Sequence, residues 1–363
     1  MANNLYTFAQ WQYYAYREFV IFDGKILFIN CRNLLISLDI QTGTAEIISG
    51  IEGYSKVLEL DIMEKMVQAN GKIYAFEAKS ENMVIYDPKG NRCQCKELNY
   101  HQNEWANALA VTPYEDEIYI FPKYRDYILK IDTKADQVVE IENSDYTAMD
   151  KNVSAVVHDG RVYFFLRDSN KVTEYDLCVN QCREYSLPHQ QGDIVCVQFF
   201  EGLFYLMDME GGLSVWDIKD NTLETLVSPF IEKEKKNYFW LCTVTKKNIW
   251  LLPDLGEDIY VYCRESKKLE KYDRYPEGFA YLMTDKWGKY ISSREYKGIY
   301  YHDMHSANCI LCIDKNSGEE TWIKPSIPGR MEECRYYIEN GCQVILQEAQ
   351  LPLEDFIATV SRT

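Results

Sequence analysis

The stretch Ser154-Ala155-Val156-Val157-His158-Asp159-Gly160-Arg161-Val162-Tyr163-Phe164-Phe165-Leu166, continued by Lys171-Val172-Thr173-Glu174-Tyr175-Asp176 and by Gln181 to Leu187, decides the fold. Asp159-Gly160 is a tight-turn dipeptide between two runs rich in β-branched and aromatic residues, which is the signature of a hairpin. Two more short strands follow. The third ends on Asp176, whose carboxylate is placed to accept backbone N–H groups of the next turn. Read in order, Ser154–Val157, Arg161–Leu166, Lys171–Tyr175 and Gln181–Leu187 form one four-stranded antiparallel unit.

The unit recurs along the chain. Its first half returns at Asp23-Gly24-Lys25-Ile26, Asn70-Gly71-Lys72-Ile73, Glu115-Asp116-Glu117-Ile118, Glu201-Gly202-Leu203-Phe204, Lys247-Asn248-Ile249 and Lys297-Gly298-Ile299. The second half returns as Leu38-Asp39, Tyr86-Asp87, Ile131-Asp132, Trp216-Asp217 and Ile313-Asp314, with Tyr262-Cys263 as the one departure. The aspartates step by 48, 45, 44 and 41 residues and then by 97 across the Cys263 unit, a mean period close to 46. One four-stranded sheet per period is the size of a propeller blade. The expected fold is therefore an all-β seven-bladed β-propeller over residues 16–324, with a 1–15 amino-terminal segment that could close the last blade. Residues 325–363 break the period and read as a short helical C-terminal tail with a strand at Cys342–Leu346. Asn340-Gly341 could instead open an eighth blade.

The repeat resembles two propeller families. The turn-strand half with its Tyr-Asp sequel is similar to Kelch repeats, and Leu38-Asp39-Ile40-Gln41-Thr42-Gly43 and Ile313-Asp314-Lys315-Asn316-Ser317-Gly318 are similar to the blade motif of PQQ-dependent quinoproteins. The chain lacks the paired glycines that end the second Kelch strand, and it carries the quinoprotein tryptophan, Trp322, only in the final blade. The resemblance therefore implies architecture and transfers no activity.

Composition narrows the function classes. The chain has 363 residues, 47% hydrophobic and 14% aromatic, with 29 Tyr, which suits strands packed face to face through large flat side chains. Its net charge of −17 opposes phosphate backbones and anionic lipid surfaces, so neither nucleic acid nor membrane is an expected partner. The 12 cysteines and the absence of a leader-like amino terminus point to the cytoplasm.

Chemistry-bearing patterns are sparse. His302-Asp303-Met304-His305 with Cys309 and Cys312 has the count of a zinc set, but three residues along a strand send Cys309 and Cys312 to opposite faces. Cys93 and Cys95, and Cys178 and Cys182, are read as packed thiols. The sequence shows no catalytic triad, and no metal site or cofactor is expected. The expected site is the axial mouth, where loops lead into the innermost strands: Trp105, Asn107, Asn152, Asp193 and Trp240 mix aromatic faces with amides and a carboxylate, as a sugar or peptide ligand requires. The leading reading is a non-enzymatic binding or scaffold propeller for a protein or glycan partner. The alternatives are a lyase or epimerase using Asp150, Asp193 and His158, and an assembly subunit docked through residues 330–360.

Overall fold

The computed structural model describes residue 16 and residues 18–30, 34–51, 63–77, 82–97, 108–122, 127–142, 153–166, 169–189, 193–231, 239–281, 289–303, 305 and 307–326. These form seven four-stranded antiparallel sheets, each made of consecutive strands. The fourth blade runs β13 (Val153–His158), β14 (Arg161–Leu166), β15 (Lys171–Asp176) and β16 (Gln181–Ser186) from the axis outward, matching the sequence reading nearly residue for residue. The innermost strands of the other blades are β1 (Phe19–Phe22), β5 (Met63–Ala69), β9 (Ala108–Tyr114), β17 (Ile194–Phe200), β21 (Phe239–Val244) and β25 (Ser293–Tyr296). The protein is a seven-bladed β-propeller. The expected tail strand and helix, and the segment 1–15, lie outside the described residues.

Turn chemistry sets each blade. In the first hairpins a non-glycine residue takes positive φ (Asp23, Asn70, Glu115, Asp159, Glu201 and Lys297, at 47° to 52°), usually followed by a glycine such as Gly160 at 68°. Two successive left-handed residues give the turn twist that antiparallel strands accept. At the second hairpin the repeat aspartate accepts backbone donors: Asp132 from Lys134 N–H at 2.8 Å and Ala135 N–H at 3.1 Å, and Asp314 from Asn316 N–H at 2.9 Å and Ser317 N–H at 2.7 Å. The aromatic residue before the aspartate has its own task. Tyr86, Tyr175 and Trp216 each donate to an asparagine five residues on (Asn91, Asn180 and Asn221), holding it in the left-handed turn position.

The core is a ring of seven apolar clusters, one between each pair of neighbouring blades. Each blade buries both faces of its second strand, so those strands read as largely apolar runs rather than alternating ones. In the first blade, Ile26 and Phe28 face the seventh blade while Leu27 and Ile29 face the second. Fourth strands such as β16 are polar and largely exposed. The ring closes between two complete blades. Tyr301, Ile310 and Cys312 of the seventh pack on Phe19, Phe28 and Ile36 of the first, and Ser326 exchanges backbone hydrogen bonds with Gly43 and Ala45 at 2.8 and 2.9 Å.

Candidate functional site: the axial cavity

An innermost strand is an edge strand, bonded to a neighbour on one side only, so its other row of N–H and C=O groups must be satisfied elsewhere. Side chains from adjacent blades do this. Ser154 Oγ donates to the Ile194 carbonyl at 3.1 Å, and Gln198 Oε1 accepts from Val244 N–H at 2.6 Å. Arg294 spans three blades: Nε donates to the Phe19 carbonyl at 3.2 Å, Nη2 to the Met66 carbonyl at 3.4 Å, and Nη2 also pairs with the buried Glu18 carboxylate at 2.8 Å.

The seven inner strands enclose a cavity of about 1430 Å³ along the axis. Its wall has an apolar belt that includes Val20, Val67, Val111, Val156, Val197 and Leu241, interrupted by polar and aromatic groups. Six cations and four acids line it, a local reversal of sign in a chain of net charge −17. Lys315 pairs with Glu295 at 2.7 Å and lies 5.9 Å from the ring centres of both Phe200 and Tyr300. Lys65 has no ion-pair or hydrogen-bond partner among the described residues. At the hairpin end, the exposed imidazole of His158 stacks on Phe199 with centroids 3.7 Å apart and planes 23° apart, giving a flat platform at the rim.

Of the five expected mouth residues, Trp240 and Asp193 fall within the described part. Trp240 is half-buried near the start of β21 and forms part of the cavity wall. Asp193 is exposed just before β17, its carbonyl accepting from Met209 N–H at 3.3 Å, and it is not part of that wall. Trp105, Asn107 and Asn152 lie outside the described residues, as does Asp150. Beside Asp193, the Asp208 carboxyl is raised above the usual carboxylate range, chiefly by burial, although Gly212 and Glu210 N–H groups donate to it at 2.7 and 2.9 Å.

The histidine-cysteine cluster is built as packing. The fully buried His302 donates from Nδ1 to the Leu311 carbonyl at 2.9 Å and accepts from Thr243 Oγ1 at 2.7 Å, and burial lowers its pKa to about 4. Cys312 faces the first blade within the core, where burial raises its thiol to about 12. Among the described residues no three His, Cys, Asp or Glu side chains gather to hold a metal ion.

Sequence reasoning missed Arg294, Gln198 and Lys65. A usable signal existed for two of them: Arg294 and Gln198 are long polar side chains on innermost strands, at the rung where the other blades place valine or threonine.

No protein-family model and no curated protein matches the chain. Solved structures share its fold. The computationally designed Ika8 protein aligns over 86% of this chain and 88% of its own, with TM-score 0.53 and 12% identity. Virginiamycin B lyase from Staphylococcus aureus aligns over 72% and 83%, with TM-score 0.50 and 12% identity. PorZ, a surface component of the type-IX secretion system of Porphyromonas gingivalis, aligns over 87% of this chain but 38% of its own, with TM-score 0.56 and 10% identity. At these identities the likeness is one of fold, and the resemblance to Kelch and quinoprotein blades stays a matter of turn and strand motifs. No helix among the described residues is long and apolar enough to cross a membrane.

Proposed function

We propose that this chain is a non-catalytic binding propeller that receives a glycan, free or carried on a protein partner, in its axial cavity. The observation that carries the reading is the cavity wall itself. It offers two flat aromatic surfaces, Trp240 and the His158–Phe199 stack, among cationic and amide groups, in a space large enough for several sugar rings. Sugar C–H faces stack on such rings, while lysine, arginine and glutamine side chains fix hydroxyls and carboxylates.

Binding is favoured over catalysis because two of the four acids of the wall are already ion-paired: Glu18 is held by Arg294 and Glu295 by Lys315. Nine free cysteines among the described residues support a reducing compartment, and we place the protein in the cytoplasm on that ground. A glycan array probed with the labelled chain, followed by calorimetry on the best ligand, tests the reading. Trp240→Ala should weaken binding by about 1–3 kcal/mol with Tm nearly unchanged, as loss of an aromatic anchor does. An array without signal above background, or a Trp240→Ala protein that loses stability and keeps its affinity, refutes it.

A further inference from the structure

Cys196 on β17 and Cys242 on β21 stand in successive blades, 46 residues apart. Their sulfurs are 3.6 Å apart, and Cys242 N–H also donates to the Cys196 sulfur at 3.2 Å. Both border the axial cavity: Cys196 is half-buried there and Cys242 is 4% exposed. The pair differs from the other cysteines near one another in sequence. Cys309 and Cys312 sit just before and within a strand in the core, and Cys93 and Cys95 lie along one outer strand and pack against the same interblade cluster.

We infer that Cys196 and Cys242 are a redox-active dithiol, which a low-molecular-weight disulfide entering the axial cavity converts into a disulfide joining the fifth and sixth blades. Cys196 is the nucleophile because its sulfur is the acceptor of both bonds. The Cys242 thiol first, and then the Cys242 backbone N–H, hold the Cys196 thiol below its ordinary range, while donation to Cys196 together with burial pushes the Cys242 thiol up. In the first step the Cys196 thiolate attacks one sulfur of the small disulfide, forming a mixed disulfide and releasing one thiolate. Cys242 then loses its proton to solvent in the cavity and attacks Cys196 Sγ, expelling the second thiolate. The protein loses two hydrogens and the small disulfide becomes two thiols, so atoms and electrons balance. Closing 3.6 Å to the roughly 2.0 Å of a disulfide asks for about 1.5 Å of movement shared between two side chains.

The structural effect would be local to the proposed ligand wall, since Trp240 precedes Cys242 by two residues on the same inner strand. The chemistry itself does not depend on the glycan reading. The exposed Cys178 supplies an internal reference for reactivity.

The test is to incubate the full chain with oxidised glutathione, quench with an alkylating reagent, and map the cysteines by mass spectrometry. Wild type should yield a Cys196–Cys242 cross-link. Cys242→Ser should stall as a glutathione adduct on Cys196, formed at least as fast as that on Cys178. Cys196→Ser should give neither. Phenylarsine oxide, which forms two bonds to a dithiol, gives a readout on unmutated protein: it should protect Cys196 and Cys242 together from alkylation. An unmutated chain in which Cys196 reacts more slowly than Cys178, forms no cross-link to Cys242 and gains no protection from the arsenical overturns the inference.

Discussion

Replacing Arg294 by methionine keeps much of the side-chain volume and removes the charge that ties the seventh blade to the first and second. Glu18 is 4% exposed and would be left with a single donor among the described residues, its neighbour Phe19 N–H at 3.2 Å. The Phe19 and Met66 carbonyls would also lose their guanidinium partner. Breaking a buried pair typically costs 3–5 kcal/mol. The Arg294 side chain is 36% exposed, so solvent already weakens its half of the pair, and the expected cost falls to about 3 kcal/mol. An unfolding entropy of about 2.1 cal/mol/K per residue gives about 0.76 kcal/mol/K for this chain, so Tm should drop by about 4 °C. Urea unfolding followed by tryptophan fluorescence measures the free energy directly. Glu18→Gln in the Arg294→Met background should restore part of the loss, because the neutral amide no longer carries an unpaired charge. A single variant within 0.5 kcal/mol of wild type, or a double variant no better than the single, would refute the assignment of Arg294 as the closing residue of the ring.

Two further outcomes follow from titrating groups. Asp39, Asp132 and Asp314 are held below the usual carboxylate range, first of all by turn N–H donors, so their contribution is present above about pH 4 and is lost as pH falls through their lowered folded values. Asparagine at all three should lower the urea midpoint at pH 7 and flatten its fall below pH 4; an unchanged midpoint would mean the turns hold without the carboxylates. His302 shifts stability in the same direction, with stability lost as pH falls, but over a higher pH window. Unfolded, it takes a proton near pH 6.5; folded, it stays neutral to about pH 4, so stability should decline across that window by about 3 kcal/mol in total. The slope should vanish in His302→Gln, and parallel pH profiles for the two proteins would show that the histidine is protonated within the fold.

Most of the blade was legible because it is local. The Asp159-Gly160 turn, the apolar run Arg161–Leu166 and the Asp176 cap act within about 20 residues, and side-chain period and turn chemistry name them without reference to anything distant. The ring follows from counting such units. What the sequence left hidden acts between blades. Gln198 meets Val244, Cys196 meets Cys242, and Arg294 reaches Phe19 across 275 residues. Two of these separations equal 46 residues, one more than the local step between the fifth and sixth inner strands, so comparing neighbouring rungs of successive blades would have flagged them. Arg294 has no such clue, since ring closure joins the two extremes of the repeat and no periodic offset points there. The cavity was equally out of reach, because its width depends on how far seven sheets stand from a common axis.

The seam has a mechanical consequence. Every blade is built from contiguous chain, and the described join between first and last consists of a side-chain cluster, the Arg294 bridge and the two hydrogen bonds of Ser326. A load applied between residues 16 and 326 therefore falls on this join before it reaches any strand ladder. Once the join parts, no strand among the described residues interlocks the ring, and each sheet can peel away as a separate step whose extension is set by some 46 residues of released chain. Under tension the molecule would act as a short chain of seven fuses in series, the first at the seam.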